Sequence, residues 1–187
     1  MPEDILKRDI VNAFYGLDDL LDIPGFLGKN DIDEVIANYF EDCSYLPRIH
    51  EFVAMKGYDE ATYMHSLRVG ALSWVALKSI GKKYNKSQMA EYCAAGILHD
   101  CGKKEVAQEI LQTKGKITKE QYDEVKTHTE KGVSVMEKIL EGDGVNTELI
   151  ELIVKYHHED MNGKGYQKLI DSEKFNGYVQ LVAIADV

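Results

Sequence analysis

At 187 residues and 44% hydrophobic content the chain is long enough for one domain with its own core, and it has no run of about 18 apolar residues, so a membrane span is not expected. A net charge of −10 argues against a groove for a nucleic-acid polymer, but not against a small anionic substrate, because bound metal cations can dominate a local field. The acidic start Met1-Pro2-Glu3-Asp4 is not a signal peptide, and Cys43, Cys93 and Cys101 lack metal-type spacing, so they read as reduced thiols of a cytoplasmic protein.

Helical periodicity runs through nearly the whole chain. The first amphipathic helix is predicted over about 3–21, with Ile5, Ile10, Phe14, Leu17 and Leu21 apolar, and Pro24-Gly25 and Gly28 break it. Asp31 is placed to cap a helix over 32–43, and Pro47 to open one over 47–56 that Gly57 ends. A long helix over 60–80 carries His65, with Gly81 at its C-terminal cap. Ser87 starts the next, which fades at His99-Asp100-Cys101-Gly102. A short helix over 104–111 leads to the turn Lys114-Gly115. Thr118 and Gln121 have the form of a capping box for one continuous helix over 118–140, with His128 at mid-length and Gly142 and Gly144 beyond its end. Thr147 starts a helix that ends at His157-His158. A glycine-containing loop, Asn162 to Tyr166, follows, and Asn176-Gly177 precedes a last helical segment. No strand alternation or internal repeat is present. The predicted architecture is all-α: a small N-terminal helical extension over 1–50 and a ligand-bearing domain over 51–187.

Five of the six histidines form an ordered set with two aspartates: His65, His99-Asp100, His128, His157-His158 and Asp186. Each member is about one helix and its connection from the next, so separate helices can bring the set to one place inside a bundle. Imidazole suits Fe, Zn, Ni and Mn, and a carboxylate can bridge two ions. Asp100, adjacent to His99, is the natural bridge, and a bridged pair of cations about 3.5–4 Å apart activates a water and stabilises charge on a phosphoryl group. No Ser, Cys or Thr nucleophile is needed. Lys103, three residues on, is placed to bind a phosphate oxygen, and Gly102 lets the backbone turn closely there. His157 and His158 point about 100° apart if helical, so both serve one site only near a helix end. His50 is read as an ordinary surface or core residue, and Cys101 as a small intervening one. Two decoys are rejected. Gly96 to Lys104 has P-loop glycines one residue too far apart and Lys104 in place of Ser/Thr. His158-Glu159 starts like a zinc-protease helix, but Asn162 stands where its second histidine must be.

These residues are similar to the motifs of the HD-GYP family of metal-dependent phosphohydrolases. The resemblance runs from about 50 to 187 through Tyr63–Val69, Leu98-His99-Asp100-Cys101-Gly102-Lys103, Lys114–Thr118, His128–Gly132, His157-His158-Glu159, Gly163-Lys164-Gly165-Tyr166 and Ile184-Ala185-Asp186. It implies an all-α HD fold, an iron- or manganese-type cluster, with zinc or nickel also permitted by ligand type, and hydrolysis of cyclic di-GMP. It also implies that His65, His99, Asp100 and Asp186 surround one ion and Asp100, His128, His157 and His158 a second. Lys103 contacts phosphate, and Gly163, Gly165 and Tyr166 help shape the substrate pocket. Asp100 and Lys103 are thus the catalytic residues. Some members hold a third ion with a glutamate one helical turn before the first histidine; Ala61 stands there, so two ions are expected. The family's GYP proline is Gln167, its usual arginine is Asp160, and its usual aspartate is Asn162. The chain stops one residue after Asp186, where members usually continue, so it reads as C-terminally truncated or as diverged in its substrate site.

Two other readings stand beside a cyclic-dinucleotide phosphodiesterase: an HD phosphohydrolase acting on another nucleotide, and a non-catalytic nucleotide-binding signalling domain. The cyclic-dinucleotide reading is favoured by the Gly163–Tyr166 loop, the non-catalytic one by the early end of the chain. A homodimer is left open.

Overall fold

The computed structural model describes residues 1–17, 32–42, 47–80, 84–142, 144–160, 162, 164–167 and 177–187. Among them the regular structure is helical, with no strand, as the all-α expectation requires. No helix among the described residues is long and apolar enough to cross a membrane.

Helix α1 (Pro2–Tyr15) starts as its sequence dictates, with proline in its first turn and Glu3 and Asp4 against the positive end of its dipole. Its apolar stripe Leu6, Ile10, Ala13 and Phe14 is buried. The helix is shorter than the predicted 3–21, and Pro24, Gly25, Gly28 and Asp31 lie outside the described residues. Helix α2 (Ile32–Asp42) buries Val35, Ile36 and Tyr39. Phe14, Tyr39 and Trp74 meet edge to face, with ring centroids 5.1 to 6.3 Å apart, the geometry that aromatic quadrupoles favour. The extension therefore shares a hydrophobic cluster with the segments that follow.

The helix predicted over 47–56 is a 3₁₀ turn, Pro47–Val53, continuing into α3 (Ala54–Tyr58) through Gly57. Arg48 reaches Glu51 at 2.7 Å; residues three apart eclipse in a 3₁₀ helix, which brings this pair together. Asp59 caps α4 (Glu60–Ser79), accepting from the N–H of Thr62 at 3.0 Å. Helix α4 buries eleven of its 20 residues, and α5 (Lys86–Leu98) packs against it. The capping box of α5 is formed by Asn85 and Gln88, so the helix starts one residue before Ser87. Gly81 is not among the described residues. Within α5, Cys93 is disulfide-bonded, which corrects the expectation of three reduced thiols; Cys101 is free and buried.

Beyond Asp100 the chain forms a 3₁₀ turn, Cys101–Glu105, and α6 (Gln108–Leu111), separated by extended Val106 rather than joined as one helix over 104–111. The 3₁₀ turn packs closely on a later helix: a Cβ on Gly102 would lie 1.9 Å from the backbone oxygen of His128. The predicted helix over 118–140 is two: α7 (Lys119–Lys126), with its Thr118/Gln121 capping box, and α8 (His128–Leu140). At the junction Thr127 donates its N–H to Glu124 O at 3.0 Å and its hydroxyl to the same oxygen. This i−3 closure breaks the i−4 ladder. His128 therefore opens a helix instead of lying mid-length in one. Helices α9 (Glu148–Tyr156) and α10 (Gly177–Ala185) complete the bundle. Asn176 lies outside the described residues.

Candidate metal centre

The seven residues singled out in the sequence converge. They form two overlapping groups, Asp100, His128, His157 and His158, and His65, His99, Asp100 and Asp186, with the ligand atoms of each within 4.8 Å of one another. Asp100 belongs to both. His65 comes from the second turn of α4, His99 and Asp100 from the turn that ends α5, and His128 from the start of α8. His157 and His158 follow α9, and Asp186 follows α10. Nearly every contributor sits at a helix end, where the side chain can leave the helix face and turn toward a common centre.

Backbone carbonyls orient three of the histidines. Nδ1 of His99 lies 2.8 Å from Gly96 O, that of His128 lies 2.6 Å from Val125 O, and that of His157 lies 3.0 Å from Val154 O. A carbonyl oxygen only accepts, so each Nδ1 carries a proton and each Nε2 points inward, with a lone pair whenever its ring is neutral. Those nitrogens face carboxylate oxygens: His99 Nε2 is 3.2 Å from Asp186 Oδ1, and His128 Nε2 is 3.1 Å from Asp100 Oδ1. His128 Nε2 and His157 Nε2 are 3.3 Å apart. Asp100 Oδ1 is buried with no hydrogen bond. A buried cluster of acceptors facing acceptors is costly unless a cation lies among them, and imidazole with carboxylate is a donor set for divalent transition metals. The residues present therefore fit the ions that the sequence implied.

The same carboxylates that would draw in a cation also hold a proton on His99. Burial alone would pull the His99 imidazole toward its neutral form, but the Asp100 and Asp186 carboxylates outweigh it and raise its pKa to about 9. Burial pushes His158 down to about 3, helped by His157 and His128 beside it, and burial lowers His157 as well. For both carboxylates, burial opposes ionisation. The His99 and Lys103 charges nevertheless hold Asp100 well below the usual range, and hydrogen bonds from His65 and His99 do the same for Asp186. The centre thus keeps its carboxylates ionised and draws in positive charge.

Lys103 pairs with Asp100 Oδ2 at 2.5 Å and lines, with His65, Asp59 and Thr62, a cleft of about 510 Å³ also lined by Ile110, Ile117 and Val125. Gly165 packs against Glu159, and Tyr166 lies over His158 with ring centroids 4.5 Å apart. Gly163 is outside the described residues. Sequence reasoning gave no structural role to the residues that hold this wall: Glu159, noticed in the decoy and in the family motif, and the pair Gln167 and Thr129, whose side chains meet at 2.9 Å. It also missed the carbonyls of Gly96, Val125 and Val154, which no side-chain identity reveals.

A helical bundle that gathers histidine and aspartate from so many helix ends around one shared carboxylate defines an HD-type metal-binding domain. Residues 62–187 match the family described as HD domain, and the chain belongs to that family, whose fold implies divalent metal binding. Among curated relatives it is similar to a cyclic di-GMP phosphodiesterase of Pseudomonas aeruginosa, 29% identical over 83% of this chain and 36% of the relative. It is also similar to a cyclic di-GMP phosphodiesterase of Thermotoga maritima, 27% identical over 86% of this chain and 42% of the relative. A 3′3′-cGAMP-specific phosphodiesterase of Vibrio cholerae is 29% identical over 67% of this chain and 28% of the relative. These matches bear out the resemblance to the HD-GYP family. The chain spans well under half the length of each of these relatives.

Proposed function

We propose that this chain carries the active site of a metal-dependent phosphodiesterase that hydrolyses a cyclic dinucleotide, with cyclic di-GMP as the first candidate. The observation that carries the reading is the sharing of Asp100 between two ligand groups beside a cleft lined by Lys103 and His65. His65, His99, Asp100 and Asp186 would hold one divalent ion, and Asp100, His128, His157 and His158 the second. The resemblance to the HD-GYP family points to iron or manganese, and the nitrogen and oxygen donors permit zinc or nickel as well. When bound, such ions supply positive charge to the phosphoryl group and acidify a water.

The rest of the chemistry falls to the chain's own side chains. Lys103, 21% exposed, keeps its ammonium between Asp100 and the cleft, where it can bind a non-bridging phosphate oxygen. The apolar side chains of Ile110, Ile117 and Val125 in the cleft lining offer a nucleobase apolar contact. Tyr166 covers the centre beside His158 and His128. Asp160 Oδ1 accepts from the backbone N–H of Asn162 and of Lys164, at 2.8 and 3.1 Å. That carboxylate is spent on its own loop, where the family pattern has an arginine. The altered loop, together with the similarity to a cGAMP-specific relative, favours a mixed cyclic dinucleotide as the second substrate reading.

The test is elemental analysis of protein purified without added metal or chelator, followed by hydrolysis assays on cyclic di-GMP, 3′3′-cGAMP and mononucleotides. About two ions per chain and linearised dinucleotide are expected. Cleavage of a mononucleotide alone would sink the cyclic-dinucleotide reading.

A further inference from the structure

The loop that places Tyr166 is anchored at both ends by side chains outside the ligand set. At its start Glu159, 5% exposed, turns its carboxylate inward; Oε1 accepts from the N–H of Gly165 at 2.6 Å and from that of Asp160 at 3.2 Å. Gly165 is drawn in so tightly that a Cβ there would lie 2.4 Å from both Glu159 Cα and His158 O, so the position accepts glycine alone. At the other end Gln167 Nε2 donates to Thr129 Oγ1 at 2.9 Å. Thr129 is fully buried and follows His128 directly. Its hydroxyl proton is committed to Lys126 O at 3.1 Å, so its oxygen meets Gln167 as an acceptor. Between the anchors, the Tyr166 N–H donates to His158 O at 3.3 Å, and the ring lies 4.5 Å from His158 and 6.3 Å from His128, centroid to centroid.

We propose that Gln167 is a positioning residue: its bond to Thr129 holds Tyr166 against His158, so that the tyrosine is a preformed wall of the substrate site. A proline fixes a backbone angle but offers no donor. This chain, with glutamine where the family pattern has proline, fixes the same turn from outside by a hydrogen bond to the helix that starts with His128. A wall already in place spares substrate the cost of ordering it, so the effect belongs to binding rather than to the chemical step. The inference rests on the reading that this site turns over a nucleotide.

The experiment compares Gln167→Glu, which keeps the shape but removes the donor at neutral pH, with Thr129→Val, which removes the acceptor, and with the double variant. Hydrolysis of cyclic di-GMP, metal content and hydrogen exchange across residues 157–167 are measured on the metal-loaded proteins. Each single variant is expected to raise KM about fivefold, the size of one neutral hydrogen bond, with kcat and metal content within about twofold of the native protein. The double variant is expected to be no worse than either single one, and amide exchange at Lys164 and Gly165 to quicken equally in all three. Unchanged KM and exchange in Gln167→Glu overturn the proposal, as do single effects that add in the double variant. Loss of kcat and metal with KM unchanged also overturns it, because that pattern marks a disturbed His128. If Thr129→Val does not fold, Gln167→Glu, at the half-buried end of the bond, decides alone. If the native protein cleaves no nucleotide, the proposed function falls, and exchange still decides the tether: no acceleration overturns it, and equal acceleration supports it.

Discussion

Two buried carboxylates, Asp9 and Asp100, show how differently one side chain can be used within one bundle. Asp9, on α1, is 2% exposed and has its partners in hand. Lys56 lies 2.8 Å from Oδ2, Arg8 lies 3.2 Å from Oδ1, and the Tyr63 hydroxyl lies 3.2 Å from Oδ2. Every near neighbour is a donor. Asp100 is fully buried, has Lys103 on Oδ2, and faces imidazole lone pairs with Oδ1. The first arrangement is complete and fastens α1 to α3 and α4. The second is complete only with cations. A buried charge with all its donors is an element of structure, whereas a buried charge among acceptors is a site.

The largest effect that sharpens this contrast is expected from Asp100→Ala, which removes a ligand from both groups. Metal content should fall to background by elemental analysis, and a chelator that lowers the Tm of the native protein should leave the variant's Tm unmoved. Asp9→Ala should lower Tm while leaving metal content intact. Full metal loading in Asp100→Ala, or loss of metal in Asp9→Ala, would break the comparison.

Next in size is Gly102→Ala. Its Cβ would stand 1.9 Å from a backbone oxygen, which no side-chain rotation relieves. Moving α8 away from the 3₁₀ turn should cost about 3 kcal/mol, the upper part of the overpacking range, read by denaturant titration, and should displace His128 from Asp100. Lys103→Ala should slow turnover roughly tenfold or more with metal content unchanged, since it removes a charge facing the cleft and no ligand. Loss of metal in that variant would place Lys103 in the ligand shell instead.

The smallest effect is on pH dependence. Although burial alone would raise it, the Asp9 pKa is lowered in the folded protein, because bonds from Lys56 and Arg8 favour the charged form. Its contribution to stability is therefore present above the unfolded carboxyl value and is lost as pH falls through the lower folded value. In the chelated protein, Asp9→Asn should lower stability near neutrality and flatten the acid limb, so that the variant and native curves converge at low pH. An unchanged acid limb would remove Asp9 from the titrating groups.

Much of the site could be read before any coordinates. The His-Asp and His-His pairs, the helix-length gaps between them and the closing Asp186 named all seven converging residues, because ligand chemistry depends on side-chain type and a helical bundle repeats at helix length. Periodicity likewise gave the all-α class and the Thr118/Gln121 cap. The break at Thr127 was not legible. Residues 118–140 keep helical spacing throughout, and only the closure onto Glu124 O shows where the ladder changes.

The sequence by itself therefore determined which side chains carry charge and lone pairs, and in what order helices deliver them. Tertiary structure decided which imidazole nitrogen is free, through the carbonyls of Gly96, Val125 and Val154. It also decided that Asp100 is shared by two groups while Asp9 is satisfied, and that Gln167 reaches Thr129. The division has one physical reason. A donor or acceptor is a property of the residue, but whether it meets its complement depends on backbone groups and distant side chains that only packing brings within hydrogen-bond range.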